Sequence, residues 1–151
     1  MVLHVAVDVK HLFELGKTYP WPRPPRCLSC GSVRLWGHGY VRRYFDGYVY
    51  PLWVKRFRCP DCSCVYTLRP DLFYPRFRYS LVTILASIVA RLTEHRWLSC
   101  LPRQNQQYWY AGFRLQAIRF TNVPDLAALE QVLSCGLVPA SHALECVIMR
   151  L

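Results

Sequence analysis

The chain has 151 residues, 53% apolar, 15% aromatic and 19% charged, with a formal net charge of +10. That composition can build a core and excludes wholesale disorder, and the length suits one domain or two small modules in series. The most apolar stretch, Leu81 to Leu92, is too short for a bilayer span of ~20 residues, and Met1 to Leu15 carries Asp8, Lys10 and Glu14 without the apolar run of a secretory leader. A cytoplasmic chain with no membrane partner is therefore expected, and in a reducing compartment eight cysteines point to metal rather than disulfides.

The charge is unevenly spread. Residues 17–78 hold 12 basic and 3 acidic side chains, whereas residues 1–16 contribute −1 and residues 79–151 contribute +2. A field concentrated in this way attracts polyanions, nucleic acid above all, against the plainer alternative of a solvated basic surface.

In residues 1–16, Leu3, Val5, Val7 and Val9 alternate like a strand, and Val5, Val9, Leu12 and Phe13 also fit one helical face. An N-terminal helix over 1–16, closed by Gly16, is expected. Tyr19 to Arg26 contains four prolines, which excludes helix and predicts an extended lead-in.

Two C-x-x-C pairs follow, Cys27–Cys30 and Cys59–Cys62. Each such pair makes a knuckle with both sulfurs on one side, and two knuckles close a tetrahedral site for one structural Zn²⁺. Cys62-Ser-Cys64 leaves one thiol over, so Cys64 is an alternative fourth ligand, and His38 a more remote one. Between the pairs, Tyr40 to Phe45 and Leu52 to Arg58 are strand-like around Asp46-Gly47, which predicts a tight type I′ hairpin. Pro51 predicts a bend or an edge. Val65 to Leu68 reads as the third strand, which makes residues 17–78 a three-stranded zinc ribbon with a proline-rich lead-in.

Period-2 alternation places Tyr40, Arg42 and Tyr44 on one face of the hairpin and Val41, Arg43 and Phe45 on the other, with Arg56 and Arg58 sharing the face of Val54. Arg42, Arg43, Lys55, Arg56 and Arg58 are the candidate phosphate contacts, while the aromatic residues mostly serve the core.

Ser80 is a predicted N-cap for a helix over about 80–95, with Leu81, Ile84, Leu85, Ile88, Val89 and Leu92 at helical spacing. Arg96 to Pro102 breaks it. A second helix is expected from Arg103 to about Phe120, with Trp109, Phe113, Ala117 and Phe120 on one side and Arg103, Gln104, Gln107 and Arg114 on another. Two helices joined by a turn, the second opening with Arg-Gln-Asn-Gln-Gln, predict a helix-turn-helix-like module over 79–136 in which Arg103, Gln104 and Gln107 face bases. Gly112 weakens this helix by about 1 kcal/mol. A third helix is expected over Pro124 to Cys135. Residues 137–151 form a tail without a clear pattern, and Cys135, His142 and Cys146 are too irregularly spaced to predict a second metal site. The fold class expected is α+β.

Several segments together resemble the N-terminal part of a group of bacterial insertion-sequence transposases and their short relatives. They are Trp21 to Cys27, Cys30 to Ser32, Leu35 to Tyr40, Arg56 to Cys62, Thr67 to Asp71 and Arg103 to Trp109. The resemblance implies a zinc ribbon and a helix-turn-helix that bind the ends of a mobile element, with a separate DDE nuclease domain doing the cutting. Five Asp and four Glu, scattered over several elements, do not build a two-metal carboxylate site, and no nucleophile elbow is present.

The expectation is a non-enzymatic, zinc-dependent DNA-binding protein with no catalytic residues, nucleoid-associated, taking double-stranded DNA and open to a protein partner or a second copy of itself. RNA is an intermediate case. The alternative is a zinc-ribbon protein–protein adaptor or transcriptional regulator, with Tyr40, Tyr44 and Trp53 as its interface.

Overall fold

The computed structural model describes residues 1–74 and 76–143. The fold class is α+β, with two compact units that meet in sequence between Arg78 and Tyr79.

The first unit is built on a four-stranded mixed sheet in the order β1-β4-β3-β2, with β1 at Val2–Val5, β2 at Trp36–Arg43, β3 at Leu52–Arg58 and β4 at Val65–Pro70. Strands β2, β3 and β4 run antiparallel, and β1 lies parallel to β4 with Leu3 opposite Leu68. The expected three-stranded ribbon therefore gains a fourth strand, and the helix expected over 1–16 is only partly formed. A strand edge offers unpaired N–H and C=O groups, and β1 fills that of β4 while burying Leu3 and Val5.

Helix α1 occupies Val9–Leu15 instead. Asp8 caps it by accepting from the N–H groups of Lys10 (2.9 Å) and His11 (3.2 Å), and Gly16 ends it at φ +56°. Val9 and Leu12 pack with Phe45, Leu52, Val54 and Phe73 in one cluster. Leu3, Val5, Leu35, Phe57, Tyr66 and Leu68 form a second around Cys27 and Cys59.

The hairpin turn differs from expectation. The β2–β3 connection runs over residues 44–51, and Gly47 at φ +85° is its only residue with positive φ, so the turn is not type I′. Phe45 is the cause: it is fully buried against Phe73, with ring centroids 4.3 Å apart, and draws the chain inward before it can reverse. Strand β3 starts directly after Pro51.

The second unit contains α2 at Leu81–Thr93, α3 at Arg103–Ala117 and α4 at Leu126–Ser134, with α3 packed against both others. Ser80 caps α2 through the Thr83 N–H, and Asp125 caps α4 through the Ala128 N–H. The α2–α3 connection runs from Glu94 to Pro102, longer than the roughly 3–4-residue turn of a DNA-binding helix-turn-helix.

Fully buried Gln106 holds that connection together. Its carbonyl accepts from the Ser87 hydroxyl (3.0 Å) and the Leu98 N–H (2.8 Å), and its amide donates to the carbonyls of Leu98 (2.8 Å) and Leu101 (3.0 Å). Further along α3, the Gln116 amide donates to Ser141 and Ala143 carbonyls, both at 2.9 Å. A Cβ on Gly112 would lie 2.4 Å from the Ala140 carbonyl oxygen, so the glycine that weakens α3 is what lets segment 137–141 approach it. Of the tail expected over 137–151, residues 144–151 lie outside the described residues.

Candidate metal centre

The two cysteine pairs sit on matching backbone turns. In the first, Gly31 donates to the Cys27 carbonyl (2.8 Å) and Cys27 to the Ser32 carbonyl (2.7 Å), and in the second Cys59 donates to the Cys64 carbonyl (2.9 Å). The residue after each second cysteine has positive φ, +76° at Gly31 and +59° at Ser63. Each turn leaves its first cysteine buried and its second exposed.

The turns face one another. The four sulfurs of Cys27, Cys30, Cys59 and Cys62 all lie within 4.8 Å of each other, with Cys27 to Cys62 at 3.5 Å and Cys30 to Cys59 at 3.6 Å. A tetrahedral centre with metal–sulfur bonds of about 2.3 Å has sulfur–sulfur edges of about 3.8 Å, whereas a disulfide would need about 2.05 Å. The geometry fits a metal ion and not a pair of disulfides. Cys62 takes the fourth place and Cys64 stands outside it, its thiol 3.3 Å from the Met1 sulfur. Among the described residues no other cluster has metal-ligand geometry; His142 stacks on Tyr108 instead, and Cys146 lies outside those residues.

The four thiols are electrostatically unequal. Desolvation opposes ionisation of Cys27 but is outweighed by hydrogen bonds from the Tyr66 hydroxyl, the Cys30 and Ser29 backbone and the Cys62 thiol, which bring it down to about 6. At Cys30 the Ser32 backbone favours the thiolate, but desolvation and the neighbouring thiols prevail and push it up to about 12. One sulfur thus ionises readily and makes the next harder to ionise, a conflict that a divalent cation removes.

Residues outside the cysteine spacing support the cluster. Ser29 donates its N–H to the Tyr66 hydroxyl (3.1 Å), which directs the hydroxyl proton to the Cys27 sulfur at 3.0 Å. Asp61 accepts from the Ser32 hydroxyl and pairs with Arg34, tying the second knuckle to the first. The sequence put Tyr66 on the third strand, and only the fold shows which sulfur it meets.

The sheet divides the expected phosphate contacts between its faces. The register sets Tyr40 opposite Lys55 and Arg42 opposite Trp53, which puts Arg42 and Lys55 on one face. There Lys55 lies 4.2 Å from the Tyr40 ring centre, and Lys17 (4.3 Å) and Arg42 (5.5 Å) flank Trp53. Arg43, opposite Leu52, shares the other face with Arg56 and Arg58. On α3, Arg103, Gln104, Gln107 and Arg114 are all exposed.

These features define a small α+β protein whose sheet carries a four-cysteine cluster positioned to bind a metal ion. A family model described as a domain of unknown function (DUF6431) matches residues 27–99, from the first cysteine of the cluster through α2. No curated protein and no solved structure matches the chain. Among the described residues no helix is long and apolar enough to cross a membrane.

Proposed function

We propose that this is a zinc-stabilised DNA-binding protein, the DNA-recognition part of a transposition system, with no catalytic domain of its own. Zinc suits four thiolates in a redox-inert tetrahedron, and it leaves the sheet unit basic, since four thiolates on one Zn²⁺ subtract about two charges. The observation that carries the reading is uncommitted charge. Among the described residues the only ion pairs are Arg34–Asp61 and Arg96–Glu94, so Arg42, Arg43, Lys55, Arg56 and Arg58 have no carboxylate partner. Exposed Gln104 and Gln107 near the start of α3 suit adenine, and Arg103 suits guanine.

The test is fluorescence anisotropy with metal-loaded chain on duplex DNA from the flanks of its gene, against a scrambled duplex, over a salt series. Preference for the flanking duplex, with affinity falling steeply as salt rises, is the expected result. No binding at low salt sinks the reading. Metal analysis of protein purified without chelators should return one zinc per chain.

A second reading, a protein–protein adaptor, is favoured by exposed aromatic surface at Trp36, Tyr44 and Tyr50, which are 60%, 61% and 69% exposed. A shallow salt dependence would shift the balance to it.

A further inference from the structure

The face of the sheet that carries Arg43 holds a feature the reading above does not use. Val2, Arg43, Val54, Thr67, Leu68 and Arg69 line a cleft of about 60 Å³. By volume that is room for about two waters, the scale of one tetrahedral oxyanion and too little for a nucleoside. Two of the lining residues are cations, and among the described residues neither has a carboxylate partner.

The two arginines differ in what they have left to offer. Arg69 is largely buried, and it donates through Nε to the Phe73 carbonyl (3.1 Å) and through Nη2 to the Phe77 carbonyl (2.5 Å). It braces the segment after β4 and brings a fixed positive charge to the cleft. Burial and the nearby Arg43 charge lower its guanidinium to about 10, so the like charges are close enough to oppose one another. Arg43 is exposed and makes a long hydrogen bond to the neighbouring Arg42 carbonyl (3.4 Å), which leaves most of its donor fork available.

Thr67 adds a hydroxyl on the same face. Arg56 stands opposite Thr67 in the β3–β4 register, and its Nε is sealed from solvent without an acceptor among the described residues. Two cations without a carboxylate partner in the cleft lining, on a face where Arg56 also holds a buried donor without an acceptor, are a deficit that an anion on this face offsets.

We propose that this cleft is a seat for one phosphate group, held by the Arg43 fork and the Thr67 hydroxyl in the field of Arg69. The phosphate can be free or part of a nucleic-acid backbone. The seat does not depend on the DNA-binding reading, because the isolated anion tests it.

The experiment is a titration of metal-loaded full-length chain with inorganic phosphate at constant ionic strength, with chloride as the reference. Backbone amide shifts of Val2, Val54, Thr67 and Leu68 are followed by NMR. A saturable shift of these amides with phosphate and not chloride is expected. Arg43→Gln should weaken it roughly tenfold or more, the loss of a charge-assisted hydrogen bond, and Thr67→Val should weaken it by less. Arg96→Gln, in the helical unit, should leave it unchanged. Arg43 is exposed and Val is close in shape to Thr, so both cleft variants should keep the fold, which the rest of the spectrum checks directly. A linear drift equal to that with chloride, or saturation indifferent to Arg43→Gln, overturns the proposal.

A short duplex added next separates the sources. If phosphate competes with the duplex for the same amide shifts, the seat takes backbone phosphate. If phosphate saturates the seat and the duplex leaves these amides unmoved, the seat stands for free phosphate, and Arg43 is struck from the DNA contacts.

Discussion

The two units hold themselves together by different means. Residues 1–78 rely on four sulfurs gathered at one end of a sheet, with two small apolar clusters beside them. The described part of the second unit has no such cluster and uses buried side-chain amides instead, Gln106 at one end of α3 and Gln116 at the other. A sheet of four short strands buries little surface for its size, and a metal held by the four sulfurs would supply rigidity without more core. The helices have enough apolar surface to pack, and their weak points are the backbone groups of connections, which the amides satisfy. Among the described residues the sheet keeps cations without a carboxylate partner on both of its faces.

Removing the metal is the strongest way to break that comparison. Chelation should unfold residues 1–78 while the helical unit keeps its amide protection, since structural zinc is worth about 10–16 kcal/mol in small zinc-finger peptides. Hydrogen exchange read unit by unit checks it, and simultaneous loss of protection in both would show that the two means of cohesion are not separate. Gln106→Leu should do the reverse, costing about 3 kcal/mol by stranding the Ser87 hydroxyl and the Leu98 and Leu101 backbone groups. Denaturant melts followed by helix signal measure it, and metal content should stay at one ion per chain.

Gly112→Ala comes next. Its Cβ meets the Ala140 carbonyl rather than a side chain that could move, so a loss of about 1–3 kcal/mol is expected despite the better helix propensity. A gain in melting temperature would show that the close approach of segment 137–141 is dispensable. The smallest effect belongs to Ser63→Gly. Relief of the left-handed backbone is worth about 1–2 kcal/mol, and loss of the Arg58–Ser63 hydrogen bond (3.3 Å) offsets part of it. Chelator competition should show slightly tighter metal retention in this variant.

The cysteine cluster is legible because C-x-x-C is a local pattern whose meaning needs only a second copy. The faces of β2 and β3 are legible from alternation, and the cap at Ser80 acts within one turn, whereas the helix expected from Pro124 starts at Leu126 with Asp125 as its cap. What escapes is decided by distant partners. Val5 and Val9 satisfy a strand and a helix equally, and the open edge of β4 selects the strand for Val5 while Val9 goes into α1. Gln104, Gln106 and Gln107 are the same residue type within four positions, yet Gln106 alone is buried, and nothing local distinguishes it. Asp46-Gly47 carries a hairpin pattern that burial of Phe45 overrides. Asp61 and Tyr66 support the metal site through contacts that spacing does not encode.

The parallel pairing of β1 with β4 also bears on the order of assembly during synthesis. The first strand made is among the last able to pair, because its partner at Val65–Pro70 emerges some sixty residues later. At roughly 5–20 residues per second that is a wait of several seconds. The ligand set, by contrast, is complete at Cys62, before β4 begins. A nascent chain can therefore capture its ion first and receive its opening strand afterwards, so cellular metal supply would govern how long Leu3 and Val5 stay exposed to chaperones and proteases.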